Sequence, residues 1–202
     1  MNSPKEIISR CVDEFETQTQ VELVVSIIKK SGSYYSFFWF YTLLLVQIFW
    51  ISTLLWNEFF EFELLVAESM ILIGFSYVIL LKFDVLKYLV PKKIKAEHLK
   101  KMADQTFYKL GLFNTKRRSG LLIMYSHFEN GCYLIPDKGI IEKISKSELD
   151  KMSLDFQLAF RGKNLAESVG SLIRTYGVFW KEKWPNEDDE NEISVSFSDG
   201  SV

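Results

Sequence analysis

The 202-residue sequence predicts an α/β fold, a short mixed sheet flanked by helices and interrupted by a two-helix transmembrane hairpin. Three observations carry this expectation. No charged side chain occurs between Lys30 and Glu58. A second apolar run follows after a short acidic connection. The charged remainder of the chain shows helix-period and strand-like apolar patterns in turn. With 48% hydrophobic and 25% charged residues, the composition suits one population of side chains for lipid and another for water. About 150 residues then remain outside the bilayer, enough for one domain and not two.

The elements follow in chain order. Pro4–Thr17 places Ile7, Ile8, Cys11, Val12 and Phe15 at helical spacing, with Ser3 and Pro4 suited to the N-cap and first turn. Val21–Ile28 (VELVVSII) reads as a buried strand. This helix and strand cannot build a core alone, so they must pack with segments beyond the hairpin. The domain is therefore expected to be split, and its two halves must share one side of the bilayer. That requires an even number of crossings.

Tyr34–Trp56 is the stronger span. At 1.5 Å per residue it reaches roughly 34 Å, enough for a hydrocarbon core of about 30 Å. Tyr34, Tyr35 and Trp39 crowd one end and Trp50 and Trp56 the other, as interfacial aromatics do. Leu64–Leu81 is the shorter span, with Glu68 one turn inside its start, near the headgroups. Gly74 and Ser76 are the small residues expected to let the two helices pack closely. The connection Asn57–Glu63 (NEFFEFE) is acidic and short, which predicts a tight hairpin.

Charge sets the expected orientation. Lys29 and Lys30 precede the first span, and Lys82, Lys87, Lys92, Lys93, Lys95, Lys100 and Lys101 follow the second. The positive-inside rule then puts both termini and the water-facing domain in the cytoplasm, with the chain integral to the cytoplasmic membrane. A cleavable signal peptide is not expected, because the apolar run begins late, after an acidic stretch, and has no cleavage-type ending.

Beyond the spans, Leu99, Met102, Ala103, Phe107 and Leu110 recur at helical intervals up to Gly111. Lys92, Lys93, Lys95, Lys100 and Lys101 on this segment are candidates for anionic headgroups, or simply a solvated basic face. A nucleic-acid partner is not expected, since the juxtamembrane position already accounts for the charge. Gly120–Ser126 and Gly131–Ile135 read as strands joined by the turn signal Asn130–Gly131. Ser147–Phe160 and Leu165–Trp180 read as helices. Asn186–Val202 is acidic and Ser-rich and reads as a mostly disordered tail. The expected organisation is thus residues 1–33, the hairpin 34–81 with spans 34–56 and 64–81, the rest of the domain at 82–185, and the tail 186–202.

Catalytic signatures are sparse. The two histidines, His98 and His127, lie in no metal-ligand spacing, and no GxSxG, phosphate-binding Gly loop or HExxH is found. Cys11 and Cys132 stand in no CxxC pattern, and the sequence leaves open whether they pair. The ligand candidates are Thr115, Arg118, Asp137 and Gly139, around the passage Asp137–Lys138–Gly139 that follows a strand. A carboxylate there would orient water or a cation, or act only as a turn residue. No cofactor is evident. Asp188, Asp189 and Glu190 would meet Ca²⁺ or another divalent cation, but adjacent carboxylates without a Gly-bearing loop make a poor cage.

Four passages together resemble the TPM domain family in its bacterial membrane-inserted form. They are Glu16–Thr17–Gln18–Thr19–Gln20–Val21–Glu22–Leu23–Val24–Val25; Gly111–Leu112, Thr115, Arg118 and Gly120–Leu121–Leu122–Ile123; Ile135–Pro136–Asp137–Lys138–Gly139–Ile140; and Trp184–Pro185 followed by Asp188, Asp189, Asn191, Glu192 and Ile193. The resemblance implies an α/β sandwich. It does not imply one activity: relatives include proteins discussed as acid phosphatases or Ca²⁺ binders, and auxiliary subunits of membrane complexes. Gln20 stands where the family has Gly, and Pro136 where it has a small residue. The leading expectation is a non-enzymatic, membrane-tethered module for assembly or quality control, with a membrane-protein partner. The alternatives are a phosphate-ester hydrolase using Asp137 and Arg118, and an anionic-lipid-binding surface.

Overall fold

A computed structural model describes residues 4–56, 62–82, 85–162, 164–185 and 197–198. The chain forms two compact units, Met1–Ser31 with Ala96–Val202 and Gly32–Lys95.

The first unit is α/β. Helix α1 (Pro4–Glu16) leads into strand β1 (Glu22–Ile28), which pairs in parallel with β2 (Gly120–Ser126) from Glu22↔Gly120 to Ile28↔Ser126. Strand β3 (Gly131–Pro136) runs antiparallel to β2, from Leu121↔Pro136 to Ser126↔Gly131. The sheet is therefore mixed. Its strict alternation of side chains divides the interior into two cores. Leu23, Val25, Leu121, Ile123 and Leu134 face one way, against α1, α7 (Lys146–Phe160) and α8 (Leu165–Lys183). Val24, Ile28, Leu122, Met124 and Ile135 face the other, against Leu99, Ala103 and Phe107 of α5 (Lys92–Lys109). A slip of one residue in the pairing would exchange the two sets, so burial on both faces fixes the register.

Local signals end the elements where the sequence suggests. Gly111 adopts φ 72°, a left-handed conformation that stops α5. Asn130, at φ 51°, makes the β2–β3 turn and is gripped by Arg161, whose Nη2 donates to its carbonyl at 2.7 Å and whose Nε donates to its Oδ1 at 3.0 Å. Helix α7 starts one residue before Ser147, because Ser145 caps it in a reciprocal box with Glu148. The bonds from Ser145, with Lys183 beside it, hold the Glu148 carboxyl down at about 2. Helix α8 runs three residues past Trp180, to Lys183.

The C-terminal region departs from the expected tail at one point. Phe197 and Ser198 form β4, which pairs in parallel with Val25 and Ser26 of β1. The open hydrogen-bonding edge of β1 accepts them, and Ile193–Ser198 alternates apolar residues with serine as a strand does. Asn186–Ser196 and Asp199–Val202 lie outside the described residues, and with them Asp188, Asp189 and Glu190.

The second unit is helical. Helix α2 (Tyr35–Trp56) and α3 (Phe62–Tyr77) are neighbours, and α3 continues as a π-helical turn, Val78–Lys82, where a plain helix to Leu81 is expected. Tyr35–Trp56 and Glu63–Leu80, the latter running from α3 into the π-helical turn, are long and apolar enough to cross a membrane, by length and composition. Phe38 meets Tyr77, Thr42 meets Ser76 and Trp50 meets Ser69, so the two helices run antiparallel. Gly74 is not part of that seam: a Cβ placed on it would meet nothing within 4 Å. Asn57–Glu61 of the acidic connection lies outside the described residues. A short helix, α4 (Leu86–Leu89), precedes α5, and the Tyr41 hydroxyl donates to the Leu89 carbonyl at 3.0 Å.

Candidate functional site

One end of the α/β sheet gathers most of its buried polar groups. It is the end where β1 and β2 begin and β3 finishes. Gln20 is the hub. Its N–H donates to the Trp184 carbonyl at 3.2 Å, and its carbonyl accepts from Ser119 Oγ at 2.6 Å. The Arg117 guanidinium donates to its side-chain Oε1. Three passages distant in sequence therefore meet on a single residue. A glycine at this position would keep the two backbone bonds and lose the third.

Asp137 closes the same end from β3. Its N–H donates to the Gly120 carbonyl at 2.8 Å, and its Oδ1 accepts from the Lys138 N–H at 2.8 Å, capping the single turn α6 (Lys138–Ile141). Among the described residues its Oδ2 is buried without a hydrogen bond, 3.9 Å from Arg118 Nε. Gly139 donates to the Arg118 carbonyl at 3.0 Å. Thr115 Oγ1 accepts from the Ser119 N–H at 2.9 Å, and its carbonyl accepts from the Arg118 N–H at 3.0 Å. Thr115, Arg118, Asp137 and Gly139 are thus brought together, by backbone as much as by side chains. Arg118 itself adopts φ 53°, and its guanidinium donates to the Phe113 carbonyl.

A carboxylate pair lies beneath. Glu16 and Glu22 are both buried. Burial, with the charge of Glu22 beside it, pushes the Glu16 carboxyl up to about 8, although the Leu23 N–H donates to its Oε1 at 3.2 Å and pulls the other way. Glu16 therefore carries a proton at neutral pH. Its role is missed by a motif reading. The signal that finds it is an acid at the position after Phe15, on the buried stripe of α1.

The remaining candidates fall elsewhere. Lys92, Lys93, Lys100 and Lys101 are exposed on α5, and Lys95 Nζ donates to the Lys87 carbonyl at 2.7 Å. Cys11 and Cys132 are free thiols, both pushed up by burial. The His127 ring stands edge-on to Tyr125. Among the described residues no group of three or more His, Cys, Asp or Glu side chains is placed to hold a metal ion.

Chemically, the site is a knot of hydrogen bonds in which, among the described residues, the buried Asp137 Oδ2 and Gln20 Nε2 accept or donate none. Asp137 is well oriented, but Arg118 is already engaged by the Phe113 carbonyl and Arg117 by Gln20. A guanidinium carries five N–H donors, so these bonds orient the two arginines without exhausting them.

No family model matches the chain, and no curated protein does. Among solved structures, the chain is similar to the BA42 protein of the psychrophilic bacterium Bizionia argentinensis sp. nov., determined by NMR. The TM-score is 0.58 at 17% sequence identity, over 98% of this chain and 92% of that one. At that identity the likeness speaks to fold alone, and it supports the α/β class.

Proposed function

We propose that the α2–α3 hairpin anchors this chain in the cytoplasmic membrane, with both termini and the α/β unit in the cytoplasm. On this reading the α/β unit works without catalysis, as a docking module that binds a partner membrane protein and assists assembly or quality control of its complex.

The observation that carries the reading is the inverted distribution of side chains in the hairpin. Thr42, Ser69 and Ser76 are buried, while Leu43, Leu44, Ile48, Ile51, Leu55, Met70, Ile71 and Phe75 are exposed. In water this costs roughly 1.5–3 kcal/mol for each large apolar side chain left out. In hydrocarbon it is the favoured arrangement, since polar groups seek partners between helices and apolar ones meet lipid. The lysines flanking both ends of the hairpin, against the acidic connection, support the orientation. The TPM-like passages support the same picture of a domain interrupted by a membrane hairpin.

Two features favour docking over hydrolysis. The Arg118 guanidinium, the natural anion clamp, has its charge offset by the Asp137 carboxylate 3.9 Å away and already spends one donor on the Phe113 carbonyl. Leu154 and Leu158, one turn apart on α7, are both more than half exposed and form an apolar step on an otherwise polar face.

The test has two arms. Cysteines at positions 10 and 150 (Arg10→Cys, Asp150→Cys) should react with a membrane-impermeant maleimide from the same side of sealed vesicles. Reaction from opposite sides would end the single-domain reading. In mild detergent, a stoichiometric membrane partner should co-purify with the full chain and be lost with Leu154→Glu plus Leu158→Glu. Retention of the partner by that variant would remove α7 as the docking face.

A further inference from the structure

Helix α2 carries one strongly polar side chain in its middle third, and it points away from α3. Gln47 is exposed, and its side chain makes no hydrogen bond among the described residues. At about 100° per residue it lies roughly 140° around the helix from Thr42, which sits in the α2–α3 seam. The hairpin therefore does not use Gln47.

The neighbours of Gln47 on that outer face are ordered. Phe40, Leu44, Gln47, Ile51 and Leu54 succeed one another at steps of four, three, four and three residues, and the four apolar members are exposed. Such spacing is the seam of a left-handed helix pair, in which a lone polar residue at one core position sets register and partner number. Among the described residues of the hairpin, none occupies this seam.

We propose that α2 pairs in parallel with α2 of a second copy of this chain, through the Phe40–Leu54 seam, with the two Gln47 amides hydrogen-bonded across the two-fold axis. The proposal rests on the membrane reading above. Two physical points select a second copy as the occupant. A carboxamide both donates and accepts, so it is complementary to itself. Every copy also inserts with the same orientation, so position 47 of one copy lies at the same depth as position 47 of another. A parallel isologous pair brings the amides together without further adjustment. Left unpaired, each amide would face hydrocarbon with its donors and acceptor unmet.

The experiment uses the full chain reconstituted in phosphatidylcholine–phosphatidylglycerol vesicles. Two-colour energy transfer is followed as protein is diluted with lipid. The native chain should dimerise, and Gln47→Leu, which keeps the apolar seam, should weaken dimerisation by about three- to thirty-fold, the range for interhelical polar contacts. Copper-phenanthroline oxidation of Ile51→Cys should give covalent dimers above the level of the parent chain, whereas Leu45→Cys, on another side of α2, should not. A native chain that stays monomeric at every dilution overturns the proposal, including the case where the seam serves a different protein. Equal dimerisation of Gln47→Leu, or equal cross-linking at 45 and 51, overturns it as well. Alkaline carbonate extraction of the same vesicles separates the two claims. Release of the chain defeats the membrane reading, while a retained monomer defeats only this pairing.

Discussion

The hydroxyl oxygens of Thr42 and Ser76 lie 3.1 Å apart, each almost fully buried in the seam between α2 and α3. Ser76 also donates to the Ile73 carbonyl at 2.8 Å, so it is not orphaned if its partner is lost. Thr42→Val removes the bond at nearly constant volume. We predict a loss of hairpin stability of about 0.6 kcal/mol in a bilayer mimetic, the average for such contacts in lipid. Unfolding by steric trapping in bicelles measures it. A cost of several kcal/mol would show that the pair is embedded in something other than a lipid-facing hairpin.

Gly139 is a packing requirement. A Cβ there would stand 2.5 Å from the Arg117 carbonyl oxygen and 2.8 Å from that of Arg118. Both obstacles are backbone, so neither rotates away. Gly139→Ala should force Asp137 and its cap apart from the Thr115–Ser119 turn and destabilise the α/β unit by about 1–3 kcal/mol. Urea unfolding of the full chain in detergent, followed by tryptophan fluorescence, reads the change. An unchanged midpoint would mean the turn yields without cost.

Glu16 predicts a dependence on pH with a definite sign. Its carboxyl titrates at about 8 in the folded chain, against about 4.5 when free. Between those values the folded state holds a proton that the unfolded state has released. Stability therefore falls as pH rises through that window, by up to about 1.4 kcal/mol per pH unit, and levels off above it. Glu16→Gln retains an acceptor for the Leu23 N–H and carries no charge. It should be more stable than the native chain near pH 8 and nearly equal to it below about pH 4.5. Parallel denaturation curves at the two pH values test this. Identical pH dependence in both proteins would show that Glu16 ionises normally.

The docking reading makes a negative prediction that is as easily checked. The full chain should turn over p-nitrophenyl phosphate no faster than its Asp137→Ala variant, with Mg²⁺, Mn²⁺ or Ca²⁺ present. Asp137 spends one oxygen capping α6, and the Arg118 guanidinium that stands 3.9 Å from it is bonded to Phe113. Metal-dependent turnover lost in the variant would reverse the assignment in favour of hydrolysis.

Elements built on local pattern were legible in advance. The apolar stripe Ile8, Cys11, Val12 and Phe15, the Asn130 turn and the Gly111 stop each depend on residues within a turn or two. The candidate polar end was legible only as fragments. Thr115, Arg118, Asp137 and Gly139 are visible as residues, but the engagement of Arg118 by Phe113, and of Arg117 by Gln20, depends on how a left-handed residue at 118 aims its neighbours. The same holds for Gly74, which composition placed in the helix seam and the structure leaves outside it.

Sequence alone determined the α/β class and the two long apolar helices, because periodicity and unbroken hydrophobicity are properties of neighbouring residues. Tertiary structure decided which side chains those elements bury. It put Phe197 on the free edge of β1, raised Glu16 by closing the core over it, and left Gln47 facing outward. Each of these outcomes depends on groups far apart in the chain sharing one low-dielectric space, and no local pattern records that.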